Sequence, residues 1–284
     1  MRGKIVKGVG GQYTVRAGQN NFICKIRGAL HREDRVCVGD DVEFDEDALV
    51  IGRILPRRNF LLRPSVANVD QVLFLIAPSP KPDFVLLDKI LVRCLAEKVP
   101  IYLCLNKQDI AEADFEREVR FQFGAAADGL LVFSAKTGEG VESVREVLSG
   151  KFSCLSGQSA VGKSSLLNAL FPEFRAEVGG LSKKTERGRH TTRHSEIFSV
   201  GDILLCDTPG FSSFELSGIS AERLCGYYPD FFEASTACRY RGCTHLKEPD
   251  CEVKRQVQAG TLSAARYDRY VGLCEELKKR RSYE

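Results

Sequence analysis

Gly157-Gln158-Ser159-Ala160-Val161-Gly162-Lys163-Ser164 reads GQSAVGKS, an instance of GxxxxGK[ST], and its flanks decide the fold. Before it runs FSCLS (152–156), a short apolar segment of strand character. After it runs SSLLNAL (164–170), with apolar residues at helical spacing. A strand, a glycine-rich turn and a helix in that order define a phosphate-binding loop. The glycines let the backbone wrap an anion, and successive N–H groups then point inward at it. Lys163 is placed to reach β- and γ-phosphates, and the hydroxyl of Ser164, beside Ser165, to bind Mg²⁺. A chance glycine turn would lack the flanking strand and helix.

Outward from this loop the chain alternates apolar runs with helical patterns. VLFLIA (72–77), IYLCL (101–105), LLVF (130–133), EIFSV (196–200) and ILLCD (203–207) read as strands, and FVLLDKILVRCLAE (84–97) as a helix. That rhythm predicts a doubly wound α/β domain over about 61–217. Residues 1–60 differ. KIVKGVGGQYTVRA, NFICKIRGAL, RVCVGDDVEF and ALVIGRIL are short strand-like stretches broken by Gly and Asp, which predicts a small OB-like β-barrel. An SH3-like barrel is the generic alternative. RRNFLLRP (57–64) reads as a basic linker, and 218–284 as a zinc-binding and helical C-terminal domain.

A phosphate loop does not separate GTP from ATP. Asn106-Lys107-Gln108-Asp109 is NKxD at the end of a strand. The Asp109 carboxylate can accept from guanine N1–H and the 2-amino group, two donors adenine lacks, so adenine would strand a desolvated charge. Ser134-Ala135-Lys136, at the end of the next strand, is an SAK sequence whose backbone N–H can meet guanine O6. Asn106 is expected to brace the base loop, and the Lys107 stem to lie against the ring. Either motif alone is weak, but on consecutive strands of one α/β domain they point to a bound guanine nucleotide.

Asp207-Thr208-Pro209-Gly210 supplies DxxG after an apolar strand. Asp207 is expected to hold the Mg²⁺ shell through water, and the Gly210 N–H to sense the γ-phosphate. A polar stretch, GGLSKKTERGRHTTRHSE, lies between the phosphate loop and DxxG, where a switch threonine for Mg²⁺ belongs. Thr192 is the choice and Thr191 its rival. The common GTPase order is phosphate loop, switch Thr, DxxG, NKxD, SAK; here the two guanine motifs come first. A doubly wound domain with neighbouring termini tolerates such a circular permutation.

Phe211 stands where many GTPases carry a glutamine after DxxG, so slow intrinsic hydrolysis is expected. His190 can orient water instead, or contact RNA. Arg189 and Arg193 can serve phosphate charge or an RNA backbone.

Cys238-x4-Cys243-x-His245-x5-Cys251 offers three thiolates and an imidazole, the donor set of a closed structural zinc site, one ion per chain. The other reading is loose cysteines in a cysteine-rich chain. The 284 residues carry eleven cysteines, and Cys104, Cys154 and Cys206 fall in apparent strands rather than a disulfide framework, which fits a reducing cytoplasm. No run approaches the roughly 20 apolar residues of a membrane span, so no membrane partner is expected. The net charge of +3 is too mild to demand a nucleic acid; Lys4, Lys7, Arg16, Lys25, Arg27, Arg35, Arg57 and Arg58 around the barrel, and Lys278–Arg281 in the tail, permit one.

RPSVANVDQV, NKQD, SAK, GQSAVGKSS, GRHTT, DTPGFSS and CRYRGCTHLKEPDC, in that order, resemble the RsgA (YjeQ/EngC) family of circularly permuted bacterial GTPases over the whole chain. The resemblance implies a GTPase that binds the small (30S) ribosomal subunit and assists its late maturation, turning GTP into GDP with stimulation by the subunit. It also implies 16S rRNA contacts through barrel and zinc module, structural Zn²⁺, Mg²⁺ with GTP, and a cytoplasmic monomer.

Overall fold

The computed structural model describes residues 1–27, 36–62, 65–172, 196–207 and 216–281. Strands β1 (Arg2–Val9), β2 (Gln12–Ala17), β3 (Asn20–Ile26), β4 (Asp41–Asp45) and β5 (Val50–Ile54) come first. KIVKGVGGQYTVRA, which reads as one strand-rich stretch, is the β1–β2 hairpin. It turns at Gly10 and Gly11, whose φ of +59° and +80° favour glycine. The pairing order is β1-β2-β3-β5-β4, and β4 returns to β1, so the five strands close into an OB-like barrel. Ile5, Val15, Cys24, Val42, Phe44 and Ile51 fill it. Closure decides against a merely curved sheet and leaves no free barrel edge.

The 57–64 stretch is more structured than a linker. Phe60–Leu62 forms β6 and pairs antiparallel with β7 (Ser65–Ala67). Buried charge pairing locks this joint. Arg57 donates to Asp40 at 2.6 and 2.9 Å, and Asp40 is wholly buried. Gly39 (φ +91°) lies so close that an added Cβ would meet the Ala67 carbonyl oxygen at 2.0 Å.

From residue 71 the α/β domain follows. Its strands are β8 (Gln71–Ile76), β9 (Ile101–Leu105), β10 (Gly129–Val132), β11 (Phe152–Gly157), β12 (Glu196–Val200) and β13 (Ile203–Asp207). Its helices are α1 (Phe84–Ala96), α2 (Ala113–Phe123), α3 (Val141–Leu148) and α4 (Lys163–Leu170). The strand order is β10-β9-β8-β11-β13-β12, all parallel except β12. The pleat sorts each strand's residues onto two faces. Val72, Phe74 and Ile76 of β8 pack under α1 and α2; Leu73 and Leu75 face α3 and α4. With both faces covered, β8 is buried along its whole length, hence its unbroken apolar run.

β12 would be the sheet's edge, but β1 pairs with it antiparallel at Lys7↔Glu196. Barrel and α/β domain therefore share one sheet of eleven strands. A register shift in β1 between Ile5 and Lys7 marks a bulge where the strand serves both.

The C-terminal region is helical: a 3₁₀ segment (Ala221–Tyr227), α5 (Pro229–Ser235), α6 (Glu252–Gln258) and α7 (Ala264–Arg281). Its core of Leu224, Tyr228, Phe231, Tyr270 and Leu273 also takes in Val92 of α1. Beside it, Asp88 of α1 is wholly buried between Arg269 (2.5 Å) and Arg266 (3.3 Å). Arg266 also grips Asp230 through two 2.9 Å hydrogen bonds and lies over the rings of Tyr228 and Phe123. Burial outweighs both guanidiniums and leaves the Asp88 carboxyl above its ordinary pKa. Among the described residues no helix is long and apolar enough to cross a membrane.

Candidate nucleotide pocket and Cys3His centre

In a parallel sheet the strand ends that lead into loops gather on one side, and ligands bind there. β9 runs into NKxD, β10 into SAK, β11 into GQSAVGKS, and β13 ends on Asp207, whose backbone is level with Leu155 of β11. β8, the domain's first strand, and β13, its last described one, both flank the phosphate-loop strand β11.

Asn106 connects three of these loops. Its Nδ2 donates to the Val161 carbonyl (2.9 Å), reaching over β8 into the phosphate loop. Its Oδ1 accepts from the N–H of Lys107 (2.8 Å) and of Ala135 (3.0 Å) in SAK. The side chain is buried. Gly162 explains the close approach: with φ +100°, an added Cβ would stand 2.2 Å from Asn106 Nδ2. Gly157 (φ +134°) is similarly tight, its Cβ position 2.5 Å from the Leu75 carbonyl oxygen. Lys107, itself left-handed, donates to the carbonyls of Ser79 (2.7 Å) and Ala160 (2.8 Å).

Asp109 sits in the 3₁₀ turn Gln108–Ile110. Its Oδ1 accepts from Ser134 Oγ at 2.7 Å, and Lys136 Nζ lies 3.4 Å from Oδ2. The Ser134 hydrogen bond, aided by Lys136, holds the carboxyl below its ordinary pKa, so it is ionised at neutral pH. Ser134 Oγ also accepts from the Thr137 N–H at 3.3 Å. NKxD and SAK are thus joined to each other and to the phosphate loop.

In that loop Lys163 Nζ donates to the carbonyls of Gly157 and Gln158, both at 2.6 Å, which folds the side chain across the loop. Ser164 and Ser165 stand exposed in the first turn of α4; Ser159 and Ala160 are exposed at the tip. Gln158 does something the motif did not foretell. Its Oε1 accepts from the Asp83 N–H (2.8 Å) and its Nε2 donates to the Lys81 carbonyl (3.2 Å). Asp83 caps α1 by accepting from the Leu86 N–H (2.9 Å), so the loop is pinned to the start of that helix. His190, Thr191, Thr192, Gly210 and Phe211, with Arg189 and Arg193, lie outside the described residues.

The second cluster lies in the C-terminal region. The donor atoms of Cys238, Cys243, His245 and Cys251 all lie within 4.8 Å of one another. His245 Nδ1 is 3.3 Å from Cys251 Sγ and 3.7 Å from Cys238 Sγ, and those two sulfurs are 4.0 Å apart. Zn–S bonds of about 2.3 Å at tetrahedral angles require sulfurs nearly 4 Å apart, so the donor set fits a closed four-coordinate zinc. Two tyrosine hydroxyls hold the backbone of the His245 loop in place. Tyr267 Oη donates to the His245 carbonyl (2.7 Å) and Tyr270 Oη to that of Thr244 (3.0 Å). Burial alone would raise Glu248, but hydrogen bonds from Thr244 and Leu246 outweigh it and bring its pKa down to about 2. All eleven cysteines are free thiols.

A doubly wound sheet with its guanine loops ahead of its phosphate loop defines a circularly permuted P-loop GTPase, carried here behind a five-strand barrel. The RsgA GTPase family model matches residues 54–217, and the RsgA N-terminal domain model residues 2–54. The chain belongs to the RsgA GTPase family. It is 40% identical to the small ribosomal subunit biogenesis GTPase RsgA of Agathobacter rectalis, with all of both chains covered. It is 37% identical to the protein of that name from Clostridium beijerinckii, over 98% of this chain and 97% of that one. Among solved structures it superposes on YjeQ from Thermotoga maritima with TM-score 0.81 at 32% identity, covering 97% of this chain and 98% of that one. YloQ, a circularly permuted GTPase, gives 0.77, also at 32% identity, over 98% and 95%.

Proposed function

We propose that this GTPase acts in biogenesis of the small ribosomal subunit: it binds the 30S particle and its 16S rRNA late in maturation, and the particle stimulates hydrolysis of GTP to GDP and phosphate. The observation that carries the nucleotide side is the Asn106 side chain, which joins NKxD, SAK and the phosphate loop into one pocket. The relatives' names carry the ribosomal side.

In this reading Asp109 accepts from the guanine edge, a backbone N–H of Ser134–Lys136 meets O6, and Lys107 flanks the ring. The N–H groups of Gly157 to Ser164 cradle the phosphates, with Lys163 at the β- and γ-groups. Ser164 and Thr192 would hold Mg²⁺, with Asp207 behind its waters; bound there, the ion offsets phosphate charge. The Gly210 N–H reads the γ-phosphate. Phe211 cannot hydrogen-bond water through its side chain, so His190 orients the nucleophile in the particle-bound state. Cys238, Cys243, His245 and Cys251 would hold one structural zinc, which supplies folding free energy to the module. The factor works as a cytoplasmic monomer, with barrel and module against RNA.

GTP turnover measured with and without purified small subunits tests this. Stimulation is expected, with His190→Ala losing about 10² of the stimulated rate. Unchanged turnover would favour a clamp that binds nucleotide without using it. Co-sedimentation with large subunits in a non-hydrolysable GTP analogue would contradict the choice of particle.

A further inference from the structure

His245 has two ring nitrogens, and the cluster uses one. Nδ1 faces the Cys251 and Cys238 sulfurs at 3.3 and 3.7 Å. Nε2 points away from them, into the helical core, and stops 3.1 Å from the Sγ of Cys225. The imidazole is 1% exposed and Cys225 8%, so water does not substitute for this contact. Cys225 lies outside the four-donor group, on the 3₁₀ segment Ala221–Tyr227.

An imidazole that gives its Nδ1 lone pair to a metal must carry its proton on Nε2, and a buried N–H without an acceptor is destabilising. We infer that the Cys225 sulfur is this acceptor: a positioning residue that fixes the His245 tautomer with Nδ1 turned to the metal and ties the metal loop to the helical core. The environment of the sulfur suits the role. Cys225 is buried and packs in the helical core with Leu224, Tyr228 and Phe231, which holds its sulfur in place. Outer partners of ligating histidines tune metal affinity in this way.

The inference rests on the zinc reading, and the experiment separates the two. The full chain and its Cys225→Ala and Cys225→Ser variants are each titrated with zinc against a chromogenic chelator, and each is loaded with Co²⁺ for absorption spectra. Zinc affinity is expected to fall about 10- to 100-fold in Cys225→Ala and to recover in Cys225→Ser, whose oxygen can accept the same N–H. The cobalt–thiolate charge-transfer intensity should stay that of three sulfurs in all three proteins. An alanine variant that binds zinc as tightly as the parent overturns the inference, as does a serine variant that is not rescued. Loss of one thiolate's intensity in either variant would make Cys225 a direct ligand and overturn it too. A parent chain that takes up no zinc would instead sink the metal reading itself.

Discussion

The nucleotide pocket and the Cys3His centre are both loop clusters, yet they are held in opposite ways. The pocket's loops spring from a sheet buried on both faces, and protein–protein hydrogen bonds from Asn106, Ser134, Lys107 and Gln158 set their geometry. The chain alone suffices to build it. The 238–251 loop has few apolar side chains of its own and rests on the Tyr267–Tyr270 face of α7. Its three sulfurs and one nitrogen converge within 4.8 Å of one another. On the proposed reading, one site is ordered before its ligand arrives, while the other would draw much of its order from zinc.

Metal removal should break the symmetry most visibly. Structural zinc contributes about 10–16 kcal/mol in isolated fingers. Chelation, or Cys251→Ala, should therefore abolish hydrogen-exchange protection over 238–258 while β8, β9 and β11 stay protected. Equal loss in both regions would erase the distinction. Next in size is Asp88→Ala, which takes the buried carboxylate from Arg269 and leaves Arg266 only Asp230, and should cost about 3 kcal/mol in chemical denaturation. If the module is anchored mainly by this pair, the loss will appear as earlier unfolding of α7 than of the sheet.

On the pocket side, Asp109→Ala should weaken GDP binding by roughly 100-fold, about 3 kcal/mol for two charge-assisted hydrogen bonds, without changing the melting temperature much. A matching loss of stability would mean that Asp109 braces the loops rather than reads the base. Smallest is a pH effect. Asp109's folded pKa is lowered, first by Ser134, so the charged form persists as pH falls, and whatever it contributes is lost only once pH drops through that lowered value. Guanine affinity should stay flat from about pH 8 to about pH 5, and Ser134→Ala should bring the acid limb to higher pH, as read by titration of a fluorescent guanine nucleotide.

Local pattern made much of this legible. The buried parallel strands announced themselves as unbroken apolar runs, and IYLCL is β9 residue for residue. GQSAVGKS stood between a strand and a helix, and the Cys/His spacing pointed to one centre. Where contact depends on chain segments far apart, pattern had no purchase. Nothing in the neighbourhood of Asp88 foretells Arg266, 178 residues on. Gln158 occupies a variable position of its motif, so its bond to Asp83 across 75 residues leaves no local trace. Cys225 reads as one more apolar thiol. The 57–64 stretch looked like a linker because three arginines obscure a three-residue strand, Phe60–Leu62, that needs β7 to exist.

The shared sheet has a consequence for anyone who dissects the molecule. β1 covers what would be the open flank of β12, so the barrel serves the catalytic half as a cap against foreign strands. A truncated protein that begins at β6 keeps the sequence motifs of the nucleotide pocket but bares the start of β12, where Lys7 had paired with Glu196. Such a fragment should self-associate through that flank, and its solubility would misreport the health of the pocket it was cut to display.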